Sequence, residues 1–323
     1  MNDYSSLIAV ASRIGPEESL SNLVWDERGD PQEFLHRNSD LLMAARQLLA
    51  RDLRRSVRYE ADFLTHSLEE LTHYRNLARA LTLQLRHSHA VGNLEEALVV
   101  GCDILRLANV SRGGLVAHML VGDVIEYSAL QGLNALRRRL SPDLCKTAIA
   151  ALRQLEDERE PYEEVARRDQ LWEETVDPKE PPIDMAASSA PRLDEADLSY
   201  EQQRLFDQFN NLPASDKRDL YMAVDRKTLA MLRLLRTDLS LRCWHAANGE
   251  YPSELTCADL IDPTAGLDPF TGKAFVYRRD TPHLFTLYSP GPTLIDNGGA
   301  FGAWTLVSTG KADLCLDIAD YED

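Results

Sequence analysis

The chain has 323 residues, 44% of them hydrophobic, enough to bury one large core or two smaller ones, and ordinary domain sizes favour two. Its 35 basic residues stand against 52 acidic ones, a net charge of -17, so no general attraction to nucleic acid or anionic lipid is expected. The apolar stretches 97–102 and 115–121 fall far short of the roughly 20 residues a membrane span needs. Residues 1–16 lack the basic region and apolar core of a signal peptide, so the expectation is a soluble chain with no membrane span.

Residues 1–30 mix apolar positions with Gly15, Pro16 and Gly29 and predict an irregular lead-in with one short helix. From Gln32 to Leu53, the spacing of Phe34, Leu41, Leu42, Ala45, Leu48 and Leu49 predicts one amphipathic helix. Ser67 with Glu70 has the form of a capping box, and Leu71, Tyr74, Ala78, Leu81 and Leu85 follow at helical steps up to Gly92. Asn93 with Glu96 repeats that signature ahead of Leu94, Leu98, Gly101, Leu105 and Ala108, so a helical hairpin is expected.

After Gly113-Gly114, a turn on its simplest reading, the series from Leu115 to Leu140 predicts a long helix. Ser141 and Pro142 read as N-cap and first position of the next, and another helix runs toward Val176. Residues 177–197 hold four prolines and several acids without apolar periodicity, the composition of a linker. The expected organisation is therefore a helical domain at 1–176, an acidic linker at 177–197 and a second domain at 198–323.

In that second part, Ser199 with Gln202 caps a short helix, and 216–248 forms a long one ended by Gly249 and Tyr251-Pro252. Strands are expected at 274–279 and 283–288, with further candidates at 304–308 and 314–318. The fold class is mainly α: antiparallel helical hairpins followed by a small α+β module of one long helix and a short antiparallel sheet.

From Leu235 onward the order of pieces is Asn248-Gly249-Glu250-Tyr251-Pro252, Leu267-Asp268-Pro269-Phe270-Thr271-Gly272, Phe275-Val276-Tyr277-Arg278 and Leu287-Tyr288-Ser289. This order resembles the C-terminal part of type II secretion major pseudopilins. The charged segment 216–226 stands where a pseudopilin has its apolar membrane helix, so the chain departs from an ordinary pilus subunit. The whole arrangement is similar to uncharacterised proteins of planctomycete-type bacteria that join a helical region to such a tail, many of them with a membrane anchor. The resemblance implies the periplasmic side of the envelope, whereas the absence of targeting signals argues for the cytoplasm. Gly92-Asn93-Leu94-Glu95-Glu96-Ala97-Leu98 also looks like the second helix of a tetratricopeptide hairpin, but no repeat of about 34 residues recurs.

Asp296-Asn297-Gly298-Gly299 lies on a turn whose oxygens suit calcium, and pseudopilins bind calcium in a neighbouring loop. The resemblance nominates Asp296 and Asn297, helped by Asp313, and the alternative is an ordinary Asn-Gly turn. His87 with His89, and Cys243 with His245 and Cys257, contain zinc-ligand types but lack a full ligand set. The five cysteines have no CxxC pair and read as buried small hydrophobes.

No glycine-rich phosphate loop, GxSxG elbow, HExxH helix or dinucleotide fingerprint occurs. The carboxylates of 156–160 read as a solvated helix end. The expected function is accordingly that of a non-enzymatic interaction or structural protein, with a protein partner and an association with a bacterial envelope or secretion-type assembly implied by the resemblance. The alternative is a hydrolase or metalloenzyme assembled from distant groups such as His118, Glu126 and Glu158.

Overall fold

A computed structural model describes residues 3–14, 31–60, 62–176, 214–255, 261–299 and 313–316. The expected 177–197 linker, the short helix at 199, Cys257 and the strand at 304–308 lie outside the described residues. Helices α1 (Asp3–Ala11), α2 (Pro31–Arg37), α3 (Ser39–Leu49), α4 (Phe63–Ala90), α5 (Leu94–Arg112), α6 (Val116–Leu136), α7 (Pro142–Asp157), α8 (Tyr162–Thr175) and α9 (Ala214–Asn248) precede strands β1 (Val276–Thr281) and β2 (Leu284–Tyr288). The fold is mainly α with a small two-stranded sheet near the C-terminus. Among the described residues no helix is long and apolar enough to cross a membrane.

Local chemistry explains most helix ends. Gly92 takes φ +83° and stops α4, and the Asn93 side chain then accepts from the Glu96 N–H at 3.3 Å to start α5. The reciprocal half of that capping box is replaced, because the Glu96 carboxylate takes Arg46 Nη1 at 2.5 Å and Gln84 Nε2 at 3.3 Å. Ser141 accepts from the Leu144 N–H ahead of Pro142, as its sequence predicts. Gly249, at φ +82°, ends α9.

Two expectations need correction. The helix predicted over 32–53 is two helices, broken at Asn38, whose side-chain amide donates to Phe34 O at 2.9 Å in competition with the backbone ladder. Ser67 is not the N-cap: α4 begins four residues earlier, after Asp62, and encloses Ser67 at 1% exposure, while Glu70 accepts from Tyr4 Oη and Arg55. The earlier start follows from Phe63, which packs with Leu115 and Trp172.

Helices α4, α5 and α6 pack in succession as two hairpins, and α9 lies along α7 and α6. Leu77, Leu81 and Leu85 of α4 are buried with Leu98, Leu105, Leu133, Leu152, Leu235 and Leu239 in one continuous core, which also takes in Phe275, Leu287 and Leu314. Each such leucine contributes about 1.5–3 kcal/mol by leaving water. Residues on both sides of 177–197 thus share buried contacts. Helix α6 packs tightly on α5 at Gly122, where an added Cβ would lie 2.9 Å from Ala108 O and 3.3 Å from Arg112 Cγ. Gly122→Ala should lower stability by about 1–3 kcal/mol, read from the urea midpoint at constant slope.

In the hairpin, Val276 pairs with Tyr288 and Arg279 with Phe285, with a register shift between Arg279 and Thr281. The turn is shorter than predicted, so Thr281 belongs to β1. Leu314 meets Ser289 in an isolated bridge, both backbone hydrogen bonds being formed at 2.8–2.9 Å.

Candidate functional site

A dense collection of ionisable groups is buried where α5, α6, α9 and the turn after α7 meet. Arg112, at the end of α5, is fully buried. It donates to Asp123 of α6 at 2.5 Å, to Asp225 of α9, and twice to Glu160 O at 2.9 and 3.1 Å. Arg159 donates to Asp225 at 2.8 Å, to both Glu126 oxygens at 3.2 Å and to Thr228 Oγ1 at 2.8 Å. Two guanidiniums thus face three carboxylates across four chain segments.

Burial pushes the Asp123 carboxyl up to about 7, against the lowering pull of Arg112 and Arg159, and Glu126 and Asp225 add to the rise. Its Oδ2 has no hydrogen-bond partner among the described residues. Burial also brings the Lys227 ammonium down to about 8.

A second clamp fastens α9 to α7 and to the C-terminal segment. Arg236, 1% exposed, is paired with Glu156 and Asp262, while Arg233 donates to Glu156 at 2.8 Å and to Leu267 O at 2.9 Å. The stretch 156–160 is a solvated helix end only at Asp157 and Glu158, which are exposed. Glu156 and Arg159 are internal ties, and Glu160 pairs with Arg168. Their partners on α9 are some 66 to 80 residues away, beyond the reach of any local pattern.

His118, Glu126 and Glu158 take separate partners. His118 Nδ1 accepts from the Leu115 N–H at 3.0 Å and burial holds the imidazole well below its usual range, Glu126 is bound to Arg159, and Glu158 accepts from Gln154.

At the C-terminal turn, Asp296 accepts from Tyr288 Oη at 2.7 Å and from the Gly298 N–H at 2.8 Å. Asp313, 1% exposed, accepts from the Asn297 N–H at 3.2 Å, from Asn297 Nδ2 at 3.3 Å and from the Gly299 N–H at 2.8 Å. The three nominated residues are thus brought together, with N–H donors on the oxygens that a calcium ion would use. Gly298 and Gly299 both have positive φ, which turns their amides inward. Among the described residues no group of three or more His, Cys, Asp or Glu side chains is arranged for a metal.

Cys102, Cys145 and Cys243 are buried free thiols, and Cys315 is buried as well. Cys243 donates to Pro142 O at 3.5 Å, and His245 Nε2 meets His283 Nδ1 at 3.0 Å. Beside them a cavity of about 190 Å³ opens between the end of α6, the start of α7 and the end of α9. Three arginines, Arg137, Arg138 and Arg242, lie in its wall. Sequence reading missed it because its residues come from three helix ends with no shared motif.

Compared with protein-family models, with curated proteins and with solved structures, the chain matches none.

Proposed function

We propose that this chain works by binding another protein and not by catalysing a reaction. The observation that carries the reading is the outer edge of β1, which no other strand covers among the described residues. An uncovered edge is a template for an extended segment of a partner. It lies in a hairpin tied to the segment that follows α9: Tyr277 Oη donates to Pro252 O at 2.7 Å, and Arg279 donates to Tyr251 O at 2.9 Å. Leu284, 63% exposed, adds an apolar contact at the tip. The buried carboxylates and guanidiniums around α9 are engaged with one another as clamps, which supports a scaffold over an enzyme. The pseudopilin resemblance of 235–323 makes an envelope or secretion-type assembly the proposed partner class.

The test is crosslinked affinity purification of the tagged chain from its source bacterium, beside an Arg278→Glu, Leu284→Asp variant altered only at exposed positions. Secretion or pilus components recovered by the wild type and lost by the variant are the expected result. Recovery of no such component, or equal recovery by both chains, overturns the reading, as would substrate turnover in an activity screen.

A further inference from the structure

The last turn of α9 and the turn of the hairpin bring together two imidazoles that lie 38 residues apart in the chain. His245 Nε2 is 3.0 Å from His283 Nδ1, with ring centroids 5.3 Å apart and the ring planes at 77°. One nitrogen carries a proton and the other accepts it, so the pair shares a single hydrogen. Two ligands of one tetrahedral zinc ion, each bound at about 2.0–2.1 Å, stand about 3.3 Å apart. The two histidine nitrogens are therefore about 0.3 Å short of the spacing that one ion imposes.

The surrounding contacts hold both rings in place. The Tyr251 N–H donates to Pro282 O at 2.8 Å, beside His283, and the His283 N–H donates to Thr281 Oγ1 at 3.2 Å. The Tyr251 ring centroid lies 4.5 Å from that of His245 and 4.6 Å from that of Phe285, so the end of α9 packs against β2. A ligand pair fixed in advance captures an ion without first ordering a loop. His283 is exposed and His245 half-buried, so ions in solvent reach the pair. Cys243, which the sequence placed with His245 as a zinc-ligand type, is turned to Pro142 O instead.

Imidazole nitrogen suits zinc, copper and nickel, whereas magnesium and calcium select oxygen. Two protein ligands leave the other positions of the ion to water, unlike the four-ligand structural zinc centres. We propose that His245 and His283 bind one divalent transition-metal ion of the zinc class between them. On binding, the shared proton passes through solvent to the outer nitrogen of its own ring, both inner lone pairs go to the ion, and two of its waters leave. The bound ion ties the hairpin turn to α9. It is held whether or not a partner occupies the β1 edge, so either reading can fail alone.

The experiment is calorimetric titration of the tag-free, chelator-stripped full chain with zinc chloride. Saturable uptake near one equivalent is expected, accompanied by a rise in melting temperature. His283→Ala should weaken binding by at least about tenfold, because losing a ligand costs more than the roughly 10- to 100-fold lost with a ligand's hydrogen-bond partner. His283 is exposed, so this variant keeps the fold. His87→Ala, at the separate pair of 87 and 89, should bind as the wild type does, and magnesium should give no uptake. Absence of saturable zinc uptake, or uptake unchanged in His283→Ala, overturns the proposal.

Discussion

Arg112→Ala should cost about 3–5 kcal/mol, a large share of the roughly 5–15 kcal/mol of an ordinary domain. The side chain is fully buried and serves Asp123, Asp225 and Glu160 O at once. Its loss leaves two interior carboxylates with Arg159 as their remaining cation and uncovers a buried carbonyl. The penalty comes chiefly from the groups left behind. A double variant that also carries Asp123→Asn should recover part of it, and a double-mutant cycle in urea isolates that coupling. If Arg112→Ala costs less than about 1 kcal/mol, the ties between α5, α6 and α9 are not the clamp inferred here.

That clamp was not legible in the sequence. Asp225 lies in a charged stretch and Arg159 in an acidic one, and each reads locally as surface. Arg112 and Asp225 are 113 residues apart, so only the packing of α9 against the helical hairpins reveals them as partners. Where a boundary depends on one residue's own hydrogen bond, by contrast, the sequence told the truth. Asn93, Ser141, Gly92 and Gly249 stop or start helices by chemistry confined to a few neighbours. Ser67 failed because the same local signal was overridden by the packing of Phe63 against Leu115 and Trp172. At the C-terminal turn, Asp296 and Asn297 could be nominated from their neighbours. The N–H donors that surround Asp313 could not, since they depend on a chain return across 14 to 16 residues.

Stability should fall as pH rises from about 4 to about 7, and Asp123→Asn should remove that slope. The folded Asp123 carboxyl holds its proton up to about 7, against an ordinary value of 3.8 in the unfolded chain. Between those values the folded state binds more protons than the unfolded one, so each step upward in pH favours unfolding. The span corresponds to about 4 kcal/mol if Asp123 alone is responsible. The cause is burial, reinforced by Glu126 of α6 and Asp225 of α9, and Arg112 of α5 with Arg159 from the turn after α7 offset it only in part. Once Asp123 is protonated, two guanidiniums face two carboxylates and the interior charge balances. Asparagine fixes that balance at every pH, so the variant should outlast the wild type near pH 8 although it gives up an ion pair. Lys227 acts in a separate window: its folded value of about 8 lies below the ordinary 10.5, so stability rises with pH between them. Urea denaturation of both chains from pH 5 to pH 8 decides the point, because the difference between them cancels the titrating groups that lie apart from Asp123. Parallel curves would mean that Asp123 stays ionised in the interior throughout.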